Sequence, residues 1–94
     1  MILDRERTEG ILKGRLIETY GLGAGLETAR VVLPSVLSDF EKTVLASPDG
    51  EAEELYRLED GKAEILLKGK RKEPGKRRVI ITEIIFNGVK TELL

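Results

Sequence analysis

Three dipeptides dominate the second half of the chain: Asp60-Gly61, Pro74-Gly75 and Asn87-Gly88. Asp-Gly and Asn-Gly suit two-residue hairpin turns, whose central residues both need positive φ. Pro-Gly suits a type II turn, with Pro setting φ at the first central position and Gly taking positive φ at the second. The segments between them are rich in Ile, Val and Leu, as in VIITEIIF. Three reversals between such segments leave little freedom: residues 53–94 are expected to zigzag as a four-stranded antiparallel meander.

Register can be read from the same turns. Folding the chain at Asp60-Gly61 sets Glu59 against Lys62 and Arg57 against Glu64, with Leu58 against Ala63 and Tyr56 against Ile65 on the other face. Such pairs contribute roughly 0.2–1 kcal/mol each. Folding at Pro74-Gly75 sets Ala63 against Phe86, Ile65 against Ile84 and Leu67 against Thr82. Folding at Asn87-Gly88 sets Phe86 against Val89, Ile84 against Thr91 and Thr82 against Leu93. One surface then carries Tyr56, Leu58, Ala63, Ile65, Leu67, Ile80, Ile84, Phe86, Val89 and Leu93, and a one-residue slip would invert it. The opposite surface is mixed: Leu55, Leu66, Val79, Ile81, Ile85 and Leu94 stand among Glu53, Arg57, Glu64, Lys68, Glu83 and Lys90.

The first half has fewer markers. Residues 1–9 are expected to be a flexible terminus. Gly10 to Tyr20 reads as a strand, GLGAG as a turn, and Leu26 to Pro34 as a second strand ended by its proline. Val36, Leu37, Phe40 and Val44 recur at helical spacing, and Pro34 suits a first helical turn. A helix is therefore expected over Pro34 to Ala46, closed by the turn at Asp49-Gly50. The fold class that follows is α+β, mainly antiparallel β, in the order β-β-α-β-β-β-β, as a single domain over residues 1–94. An all-β small barrel or sandwich is the alternative.

Composition narrows the chemistry. The 94 residues contain no Cys and no His, which removes disulfides, thiolate metal sites and the usual general base near neutral pH. Gln is absent, Asn and Met occur once each, and 35% of residues are charged. Few thermolabile residues beside many Glu, Lys and Arg point to a thermophilic source. No apolar run reaches the ~18–20 residues that span a bilayer, and MILDRERTEG is too charged for a signal peptide. A cytoplasmic location without membrane contact is expected.

Individual motifs fail as catalytic or cofactor signatures. GLGAG (Gly21 to Gly25) misses the G-x-G-x-x-G fingerprint, because Leu26 and Thr28 fall where the last glycine should stand. Asp49, Glu51, Glu53 and Glu54 do not follow the calcium-loop pattern. Ser35, Ser38 and Ser47 have no histidine, and none is followed by lysine three residues later. No catalytic residue, metal or cofactor is expected.

One segment stands out by charge. KGKRKEPGKRR, Lys68 to Arg78, holds seven cations and Glu73, a charge of +6 in a chain whose total is −1, which leaves −7 for the remainder. The hairpin reading puts it at an exposed tip, with Arg71 facing Arg78. Lys68, Lys70, Arg71, Lys72, Lys76, Arg77 and Arg78 are the candidate binding residues. Phosphate binding would release counterions and depend steeply on salt. Against it stand a pI near 5.6 and only four aromatic residues. The expected function is a non-catalytic binding or assembly module, self-associating as a homo-oligomer or docking on a protein partner. Nucleic-acid binding through the basic hairpin 68–78 is the alternative.

Overall fold

The computed structural model describes residues 1–93, and the expected placement of Leu94 lies outside them. Two helices, α1 (Arg5–Tyr20) and α2 (Leu22–Ala46), precede four strands: β1 (Glu51–Arg57), β2 (Glu64–Arg71), β3 (Val79–Phe86) and β4 (Val89–Glu92). The strands form one antiparallel sheet in the order β1-β2-β3-β4. The expected meander is therefore present. The expected β-β-α-β-β-β-β order is wrong, and so are the barrel and sandwich: the order is α-α-β-β-β-β, with two helices on one face of an open sheet.

Both segments expected as N-terminal strands are helical because their apolar residues recur at four. Leu12 and Leu16 of α1, and Ala29, Leu33, Leu37 and Phe40 of α2, are buried. Positions three or four apart share a helix face, so each run forms one stripe. Salt bridges of the same spacing decorate the exposed side, Arg5–Glu9 at 2.6 Å and Arg15–Glu18 at 3.3 Å. Thr19 returns its hydroxyl to the Arg15 carbonyl at 2.9 Å. Residues expected to be flexible before Gly10 start α1, and Ile2 is buried beside Val79 in a short parallel bridge.

The loop expected at GLGAG is a single residue. Gly21, with φ 91°, separates the helices, and Gly25 already lies within α2. A Cβ on Gly25 would sit 2.5 Å from the Ile17 Cα, so the helices cross where one has no side chain. Pro34 does not open a helix but lies inside α2. Its missing N–H leaves the Arg30 carbonyl without the usual partner. Both residues are exposed, so water can satisfy that carbonyl.

In the sheet, the first hairpin has the expected register, with Tyr56 opposite Ile65 and Arg57 opposite Glu64. Its turn differs: Gly61 has φ 72° but Asp60 does not have positive φ, and the Gly61 N–H donates to the Leu58 carbonyl at 2.9 Å. Asp60 instead accepts the Lys62 N–H on its carboxylate. Asn87-Gly88 is the two-residue turn expected, with φ 48° and 82° and Phe86 opposite Val89.

The middle hairpin is shifted. Phe86 faces Ile65, not Ala63, Ile84 faces Leu67, not Ile65, and Arg71 faces Val79, not Arg78. The turn itself forms, with Lys76 N–H on the Glu73 carbonyl and Gly75 at φ 77°, yet the next pair outward is Lys72 with Arg78. Arg77 is thus one extra residue on the β3 side. Thr82 is a second, where the pairing jumps between Lys68–Glu83 and Gly69–Ile81. A bulge of this kind reverses which face later residues take. Val79 and Ile81, expected on the open face, therefore join Ile84 and Phe86 in the core, while Ile80 turns outward beside Lys70. Thr82 is held by its hydroxyl on the Lys68 carbonyl at 3.2 Å.

The core lies between the helices and the inner sheet face. Val36, Leu37, Phe40 and Val44 meet Ala63, Ile65, Leu67, Val79, Ile81, Ile84 and Phe86 in one cluster. Phe40 lies against Gly69, where any Cβ would come within 2.8 Å of its ring.

Candidate functional site

The seven basic residues singled out by charge do not form one cluster. Lys68 and Lys70 project from the open sheet face, and Lys68 lies 3.8 Å from the Glu83 carboxylate. Arg71 turns to the other side and donates to the Ser47 carbonyl at 3.1 Å, capping the end of α2. Its backbone N–H also donates to the Gly50 carbonyl at 2.7 Å. Arg78 pairs with Glu73 at 3.5 Å. Arg71 is thereby a structural residue, and Lys68 and Arg78 have acidic neighbours. Lys70, Lys72, Lys76 and Arg77 remain exposed without an ion pair among the described residues.

A second candidate was invisible to charge counting. β1 is an outermost strand. The Leu58 N–H donates to the Ala63 carbonyl at 3.0 Å and the Arg71 N–H to the Gly50 carbonyl at 2.7 Å. In an antiparallel ladder, bonding toward one neighbour alternates along the strand. Even-numbered residues of β1 therefore bond to β2, and the backbone groups of Glu53, Leu55 and Arg57 point away from it. No partner for them exists among the described residues.

Beside this edge runs a groove of about 650 Å³, bounded by α2, the end of α1 and the β1–β2 turn. Val31, Val32 and Val36 supply the helix wall; Leu55, Tyr56 and Leu58 supply the strand wall. Val31 is 58% exposed and Leu55 51%. Leu55 continues onto the open sheet face as a row with Leu66 and Ile85, which its strand partners place side by side.

Two tyrosines hold the groove open. Tyr20 donates its hydroxyl to Asp60 at 2.8 Å, tying the end of α1 to the β1–β2 turn. Tyr56 donates to Asp39 at 2.8 Å, tying β1 to α2. Partial burial and then the Asp39 carboxylate push the Tyr56 phenol well above the ordinary range, so it stays protonated and donating. The Tyr20 phenol moves the same way, through desolvation and Asp60. The Asp60 carboxyl is held below its ordinary value, by the Lys62 N–H first and Tyr20 second.

The other outer strand is less open. β4 has four residues, and Lys90 is tied to Glu83 at 3.3 Å and Glu92 at 3.2 Å. Arg7 reaches the Leu93 carbonyl at 3.4 Å from the helix side. The acidic residues weighed as a calcium site do not converge either. Asp49 uses its carboxylate on the Ser47 hydroxyl and the Glu51 N–H, while Glu53 and Glu54 alternate across β1.

Comparison with protein-family models, with curated proteins and with solved structures finds no match for this chain. Among the described residues, no helix is long and apolar enough to cross a membrane.

Proposed function

We propose that this chain is a non-catalytic assembly module that associates with copies of itself through the β1 edge and the apolar groove beside it. The observation that carries the reading is the coincidence of free backbone groups on β1 with exposed Val31 and Leu55 along the same edge. Unpaired strand edges are templates for another strand, and monomeric proteins usually blunt them. Adjoining apolar side chains supply the burial that backbone pairing alone lacks. The lack of His and Cys fits a binding role better than an acid–base or thiol mechanism. The charge-rich composition fits a thermophilic source and a cytoplasmic setting. Light scattering after gel filtration, run at rising protein concentration, tests the association. A mass that climbs to a multiple of 10.5 kDa is expected; the mass of a single chain at every concentration would contradict it.

A second reading is favoured by Lys70, near the end of β2, and Lys72, Lys76 and Arg77 in the β2–β3 turn, all exposed without acidic partners among the described residues. They could engage a polyanion such as nucleic acid through phosphate contacts alone. A labelled oligonucleotide that binds at low salt, with affinity falling as salt rises, would support this. No binding at low salt would remove it.

A further inference from the structure

The edge of β1 is complementary to itself in one register. Resting on the self-association reading, we infer that two chains join β1 to β1 antiparallel about a two-fold axis at Leu55, extending each four-stranded sheet into one continuous sheet.

The free backbone groups belong to odd-numbered residues, so only registers that pair odd with odd complete the hydrogen bonds. Seven such registers centre on residues 51–57, and those on Glu51, Ala52 and Arg57 set like charges against each other at or beside the axis. With Glu53 on the axis, like charges meet at the centre. With Glu54 on the axis, Glu53 faces Leu55 and Glu54 approaches its own copy. With Tyr56 on the axis, Leu55 faces Arg57 and Glu53 faces Glu59. With Leu55 on the axis, Leu55 meets Leu55 and each Glu53 meets the Arg57 of the second copy, while Glu51 meets Glu59 only at the end of the pairing, where Glu59 lies past the end of β1. That register alone joins an apolar centre to two opposite-charge pairs, and like charges directly opposite are destabilising.

Neighbouring groups fit the same operation. Arg57 already holds Glu64 at 2.8 Å on the open face, and its guanidinium has donors to spare for Glu53 of the second copy. The row Leu55, Leu66 and Ile85 would run on into the same row of the other chain. On the helix side, the α2 face carrying Thr28, Val31 and Val32 flanks the joined strands, so Val31 leaves water with Leu55.

The chain has no cysteine, so single replacements report the register directly. Residues facing each other in a hydrogen-bonded antiparallel pair have Cα atoms about 5.5 Å apart, within disulfide range. Leu55→Cys should therefore form a disulfide-linked dimer under mild oxidation. Glu53→Cys or Arg57→Cys alone should not, because each stands four residues, roughly 13 Å, from its own copy along the strand. A mixture of Glu53→Cys and Arg57→Cys chains should cross-link again. Leu55 is exposed, so its replacement does not disturb the core. If light scattering shows a dimer while Leu55→Cys stays unlinked, the register is overturned and the association reading stands. If scattering shows a single chain, both fall.

Discussion

Gly25 and Gly10 are the same residue type with opposite roles. A methyl group at Gly25 would meet the Ile17 backbone at 2.5 Å, while Gly10 has nothing within 4 Å. Overpacking of this kind costs about 1–3 kcal/mol, whereas glycine in an open helix position costs roughly 0.5–1 kcal/mol against alanine. Gly25→Ala should therefore lower the stability measured by urea unfolding, and Gly10→Ala should raise it. Tyr56 offers a second check. Removing its hydroxyl in Tyr56→Phe breaks the bond to Asp39 and should cost about 1 kcal/mol. The pH profile should change as well. The folded phenol titrates above the unfolded one, so its contribution is complete below the unfolded value near 10 and is lost as pH rises beyond it. The unfolding free energy, followed from pH 8 upward, should fall more gently in Tyr56→Phe than in the parent chain.

At the scale of elements, the meander and the helix over residues 34–46 were legible, while α1 and the first half of α2 were not. Asn87-Gly88 takes the two positive φ values its residues favour, and the charge pair Arg57–Glu64 fixes the first hairpin. The middle hairpin was misaligned because Arg77 and Thr82 are each one residue too many, and nothing in their chemistry announces a bulge. Gly21, Gly23 and Gly25 made GLGAG read as a turn between two strands, and Gly10 and Gly14 lie in the segment read as the first of them. Several of these glycines lie inside helices, each at a propensity cost of about 1 kcal/mol. Packing of Leu12, Leu16, Ala29 and Leu33 into a shared core overrides that cost. The groove depends on this helix pair, so it could not be foreseen while α1 and the first half of α2 were read as strands. The basic segment was legible as an exposed tip, but not the division of labour within it. Arg71→Ala should destabilise by about 1 kcal/mol, since the end of α2 loses a donor on the Ser47 carbonyl. Lys76→Ala and Arg77→Ala should leave the melting temperature unchanged, because neither side chain has a partner among the described residues.

Over the whole molecule, charge and apolar surface are laid out at different places. The cationic tip lies at the β2–β3 turn, at the end of the two central strands, while Val31 and Leu55 flank the β1 edge. A thermophilic origin would show as a melting temperature above the ~45–65 °C range of mesophilic domains. It should also depend on protein concentration if folding and association are linked. On the self-association reading, β1 is the interface and Leu55 its centre. Sedimentation equilibrium of the parent chain beside Leu55→Lys tests it most directly. A concentration-dependent dimer in the first and a monomer with unchanged thermal unfolding at low concentration in the second is the predicted result. Equal masses for the two proteins would contradict it.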